Sequence, residues 1–146
     1  MTGKSFRGLF EAAERRPEYW EEGAILDFFA KTDSAAARNG ARSVLVALCR
    51  RDRAAVGPLL AAQAKAEGKL RSEFLGVLAR VGGPEALAAV QADLRSPEEG
   101  LRDAGVRALA EWQDLAAAPA LLGIVRAPES EVHRVLALRG YVRMAG

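Results

Sequence analysis

Much of the usual chemical repertoire is scarce in this chain of 146 residues. It has one cysteine, Cys49, and one histidine, His133. A disulfide framework and a multi-cysteine zinc site are therefore excluded, as is metal binding by a histidine pair. Aromatic residues make up only 6 % of the chain, and β-branched residues are sparse, which argues against a β-sandwich or a parallel α/β sheet. No apolar run approaches the roughly 20 residues needed to cross a bilayer. The opening segment MTGKSFRGLFEAAERR has no apolar stretch of the kind a secretory leader carries. A cytoplasmic protein without a membrane partner is the expectation. Net charge is also small, +2.

Alanine and leucine are plentiful: 30 Ala and 18 Leu. Both lose little conformational freedom in a helix, so the composition favours an all-α fold. Arginine outnumbers lysine 17 to 4, and its planar fork suits carboxylate or phosphate. Residues 1–33 carry net −2 and residues 34–146 net +4.

The strongest signal is internal repetition. KLRSEFLGVLARVG from Lys69, GLRDAGVRALAEWQ from Gly100 and EVHRVLALRGYVRM from Glu131 align at a fixed offset of 31 residues. That offset superposes Leu70-Arg71, Leu101-Arg102 and Val132-His133. Ahead of them Val56, Leu87 and Ala118 align, as do Leu59, Val90 and Leu121; Pro97 and Pro128 also stand 31 apart. Each unit reads as two helices. The first carries Leu87, Val90 and Leu94 on one side, and Ser96-Pro97 ends it because proline cannot continue a helix. The second buries Leu101, Ala104, Val106, Leu109 and Trp112. SAAARNGARSVLVALCRR is a looser second-type helix, with Ala41, Val44, Leu45 and Leu48 apolar. A helix pair of this length cannot bury its apolar side alone and must stack on its neighbours.

The pattern Leu-Arg-x-Ala-x-x-x-Ala-Leu at 101–109, with GGPEALAAV before it and AAAPALL and EVHRVLALRGYVRMA after it, resembles bacterial HEAT repeats, in arrays of planctomycete type. The resemblance covers roughly residues 35–146 and implies an α-solenoid of about four stacked antiparallel helix pairs, preceded by a helical capping segment over 1–33. Departures are Glu73-Phe74 in place of Ala104-Gly105, and Gly140 in place of Leu109; they weaken the outer units. HEAT arrays serve many unrelated partners, so the family likeness is informative about fold and not about function.

Residues 1–33 do not fit the repeat. Their sequence reads as two helical pieces around Arg16-Pro17: Phe6, Leu9, Phe10 and Ala13 form one stripe, and Trp20, Ala24, Leu26, Phe28 and Phe29 a second apolar group. They read as an aromatic cap on the first unit.

No cofactor is implied. Gly82-Gly83-Pro84 is a helix break, since the Lys-Ser/Thr of a phosphate loop is absent. Cys49, in an apolar helix, reads as structural rather than reactive. His133 falls at the same repeat position as Arg71 and Arg102, an ordinary helix-start position. The expectation is a non-catalytic protein-interaction or scaffold module. Its candidate binding residues are the ladder Arg71, Arg102 and His133, with Arg107 and Arg139 further along the same helices. Either these pair with neighbouring acids such as Asp103 or Glu73, or they form a basic strip for an acidic protein segment. A phosphate backbone is the alternative ligand, and a HEAT-like DNA glycosylase or lyase is the most remote; net +4 without interleaved aromatics argues against both. The last segment reads as a helix apolar on several sides, predicting an exposed patch around Leu138, Tyr141 and Val142 and self-association through it.

Overall fold

The computed structural model describes residues 22–145. Among them are eight α-helices, two short 310 turns and no strand. The helices are α1 (Glu22–Lys31), α2 (Ala35–Arg51), α3 (Val56–Lys65), α4 (Gly68–Val81), α5 (Pro84–Asp93), α6 (Glu99–Ala110), α7 (Ala118–Arg126) and α8 (Glu131–Ala145). They fall into two compact units divided between Ala62 and Gln63, inside α3. The residues of the first aromatic stripe, Phe6, Leu9, Phe10 and Ala13, and also Trp20, lie outside the described residues.

In the first unit α1 packs on α2. Ser34 starts α2: its hydroxyl accepts from the Ala37 amide at 3.1 Å, satisfying one of the donors that a helix start leaves open. Ile25 and Phe29 are buried, whereas Ala24 is exposed and Leu26 and Phe28 are half-buried. The apolar face of α1 is thus set by Ile25 and Phe29, one helical turn apart. On α2, Ala41, Val44, Leu45 and Cys49 are buried and Leu48 is only half-buried. Cys49 occupies the place that the periodicity assigned to Leu48.

In the second unit the even-numbered helices pack on one another in sequence, α4 on α6 and α6 on α8. Helix α5 lies against α4 and α6, and α7 against α6 and α8. Phe74, Leu75, Leu78, Val90, Leu101, Val106, Leu109, Trp112 and Leu121 are buried in this core. Ala104 and Leu94 are only half-buried. Leu70, Leu101 and Val132 align in the sequence but differ in environment: half-buried, buried and 56 % exposed.

The 31-residue spacing also governs the helix starts. Asp52 accepts from the Ala54 amide and Asp114 from the Ala116 amide, each at 3.0 Å, opening the 310 turns Arg53–Ala55 and Leu115–Ala117. Midway between them, Gly83 precedes Pro84 at the start of α5. Gly82 and Gly83 have φ of 72° and 95°, a backbone region that side-chain-bearing residues rarely enter.

Gly140 was expected to weaken the last unit, but it performs a packing role. A Cβ built there would stand 2.9 Å from both Cα and O of Ala110. The backbones of α6 and α8 approach so closely at this point that only hydrogen fits, and the leucine found one repeat earlier could not be accommodated.

Candidate functional site

The repeated ladder position forms a set of joints between helices. Arg71, on α4, reaches the buried Asp93 on α5 through two bonds, Nη2 to Oδ1 at 2.7 Å and Nε to Oδ2 at 3.1 Å. Gln63 donates to the same carboxylate at 2.5 Å. The remaining Arg71 nitrogen donates to the Ala64 carbonyl at 3.1 Å, closing the end of α3 within the second unit. Arg102, on α6, repeats the arrangement: Nη2 and Nε meet Glu129 at 2.7 and 2.9 Å, and Nη1 donates to the Ser96 carbonyl. A guanidinium serves here because its fork spans a carboxylate while a further N–H reaches a helix-end carbonyl. Arg71 and Arg102 engage Asp93 and Glu129, while Asp103, one of the neighbouring acids expected to pair with this set, is taken by Arg107 and His133. Asp93 stands three residues after Val90 on the apolar side of α5. A carboxylate in that position is the sequence signal that a buried partner was required.

His133 departs from the expected surface position. It is buried, and its Nε2 lies 2.8 Å from Asp103 Oδ1 across the α6–α8 contact. Arg107 donates through Nε to the other Asp103 oxygen at 2.9 Å. Arg107 first, and then His133, hold the Asp103 carboxyl below its ordinary range. Glu129 is likewise lowered, chiefly by its bond from Arg102. Ser130, His133 and Asp103 thus come together, but the Ser130 hydroxyl accepts from the backbone amide of His133 at 3.2 Å, as a helix cap.

Two grooves open beside this ladder, one period apart. One, of about 530 Å³, lies where Gly68 and Arg71 face Asp93, Arg95 and Glu98. The other, of about 600 Å³, lies where Glu99 and Asp103 face Glu129, Ser130 and His133. The first contains Glu67, Asp93 and Glu98 with Arg71 and Arg95. The second contains Glu99, Asp103 and Glu129 with Arg107 and His133. Each groove is therefore of mixed sign, with acids in the majority. Arg139 lies apart from both, exposed on α8, and makes no ion pair among the described residues.

Cys49 is buried, and its thiol is pushed up to about 11, first by burial and then by the Glu22 charge. A thiol so shifted is a poor nucleophile at neutral pH. Among the described residues, no three His, Cys, Asp or Glu side chains are grouped to hold a metal ion, and no helix is long and apolar enough to cross a membrane.

Comparison with known protein families, with curated proteins and with solved structures finds no match.

Proposed function

We propose that the chain is a HEAT-like α-solenoid module that binds another protein through its surface and performs no catalysis. The observation that carries this reading is the coincidence of sequence period and packing. Helices α4, α6 and α8, related by the 31-residue alignment, each pack on the next, and Asp52, Gly83 and Asp114 open successive first helices at that same spacing. Repetition of this kind builds an extended surface rather than an enclosed site. The ionisable groups that recur along it, Arg71, Arg102 and His133, are committed to helix joints, which favours a structural part for them. The mixed sign of the two grooves weighs against capture of a phosphate backbone.

Two experiments test the reading. Deleting residues 84–114, one whole period, joins Gly83 to Leu115 in register and should leave a cooperatively melting helical protein. Deleting 84–108 should not. Equal collapse of both variants would remove the solenoid reading. Panning a display library of peptides against the full chain should yield ligands that cross-link to the repeat surface. Failure to select any, together with duplex-DNA binding that falls steeply between low and high salt, would replace the protein-binding reading with a phosphate-binding one.

A further inference from the structure

Helix α8 has two opposed faces. His133, Ala137 and Gly140 are buried. On the other side Val135, Leu138 and Val142 are 39, 49 and 60 % exposed. These three residues follow the spacing i, i+3, i+7, so they form one apolar stripe along two turns of helix. Arg134 and Arg139 border it on opposite sides at 100° per residue. Arg134 is ion-paired to Glu131 at 2.9 Å, while Arg139 has no ion pair among the described residues. Tyr141 is half-buried and stands outside the stripe.

We infer that this stripe docks an amphipathic helix from another protein, one whose apolar anchors are flanked by Asp or Glu. The inference rests on the protein-binding reading above and names the partner's chemistry. The spacing of the three exposed side chains is that of helix-against-helix recognition. The charge around them selects the occupant. A second copy paired antiparallel with Leu138 on Leu138 would bring the two Arg139 guanidinium groups together, a like-charge contact that opposes association. An acidic flank instead meets Arg139 with opposite charge. A membrane surface is disfavoured because the stripe is only three side chains, one Leu and two Val, whereas interfacial helices bury a large apolar face rich in Trp, Phe and Leu. Three side chains on one helix cover much less than a standard interface of about 1,600 Å². The expected complex is therefore a weak, transient one.

The test uses the full chain and two synthetic helices of about 18 residues, long enough to hold helical structure. Both carry Leu at i, i+3 and i+7; one is flanked by Glu and the other by Lys. The Glu-flanked peptide should bind, and amide shifts in the unaltered protein should map to residues 135–142. Val135→Ser with Leu138→Ser should weaken binding at least tenfold with an unchanged circular dichroism spectrum. Arg139→Glu should reverse the preference between the two peptides. Equal binding of both peptides, or shifts confined to the grooves beside Arg71 and Asp103, would overturn the assignment. So would sedimentation as a dimer abolished by Leu138→Ser, which would give the stripe to a second copy. Pelleting with phosphatidylglycerol vesicles, lost in Leu138→Ser, would give it to a membrane. Loss of the α8 assignment while library-selected peptides still cross-link to another face would leave the repeat-surface reading standing; loss of both would remove it too.

Discussion

The pair α1–α2 and the set α4–α8 close their helix ends with the same chemistry but treat buried ionisable groups differently. In the pair, Arg38 donates to the Phe29 and Thr32 carbonyls at the end of α1, with its guanidinium 6.0 Å from the centre of the Phe29 ring. In the set, Arg71 and Arg102 do this for the helices before them, and Arg143 donates to the Ala110 and Trp112 carbonyls after α6. Closure of a helix by an arginine from the next element thus occurs in both units, whether or not the segment follows the clear 31-residue repeat. The abundance of arginine over lysine has a structural use in both units, since four carbonyl-rich helix ends require a multi-donor side chain.

The contrast lies in the carboxylates. In α4–α8 the buried Asp93 is held by Arg71 and Gln63, and Asp103 by Arg107 and His133. In the first unit Glu22 Oε2 is buried without a hydrogen-bond partner among the described residues, and its carboxyl is raised by burial and then by Asp52. A desolvated acid favours its proton, whereas a paired acid favours its charge.

The largest effect expected from breaking this arrangement is at Gly140. Gly140→Leu restores the residue that the repeat places there, yet it should destabilise the second unit by at least about 3 kcal/mol, because the Ala110 backbone cannot yield. Gly105→Ala is the control: its new Cβ is crowded by the Leu94 side chain at 2.9 Å, which can turn aside, and stands at ordinary contact distance, 3.7 Å, from the Val90 carbonyl. Thermal melts of the two variants would show whether backbone approach or mere crowding governs the site. Asp93→Ala comes next, at about 3 kcal/mol, since it leaves Arg71 and Gln63 facing an emptied pocket. Asp93→Ala with Arg71→Met should recover part of that loss, and a double variant no more stable than the single one would show that the pair is not the cause. Removing the hydroxyl that starts α2, in Ser34→Ala, should cost about 1 kcal/mol, seen as faster amide exchange at Ala37.

The smallest effect separates the two units by pH. Asp103 and Glu129 have folded-state pKa values lowered from 3.8 and 4.5. Their contribution is present above those values and is lost as pH falls through the lower folded ones. Glu22 is raised from 4.5, so its cost is present above the folded pKa and vanishes as pH falls to 4.5. Acidification from pH 6 to 3 should therefore first relieve α1–α2 and then loosen α6–α8. Amide exchange resolved by segment would read both, and parallel loosening of the two units would contradict the assignment.

Much of this architecture was legible in the residues. Ala-Leu composition and the 31-residue offset imply helices alternating in short and long segments, and the buried Leu75, Val90, Leu109 and Leu121 follow from spacing alone. The joints were legible only in part. Arg71, Arg102 and His133 share a repeat position, but their partners lie 22, 27 and 30 residues away on three different registers, and no single spacing rule selects them.

The sequence by itself determined the helical character, the period and the recurrent arginines, because these depend on propensity and on which residues recur along one chain. The tertiary structure decided what the arginines hold, that His133 is interior, that Gly140 is a contact and that Val135, Leu138 and Val142 face outward. Those properties depend on distances between helices far apart in the chain, and a side chain's exposure is defined only after its neighbours are in place.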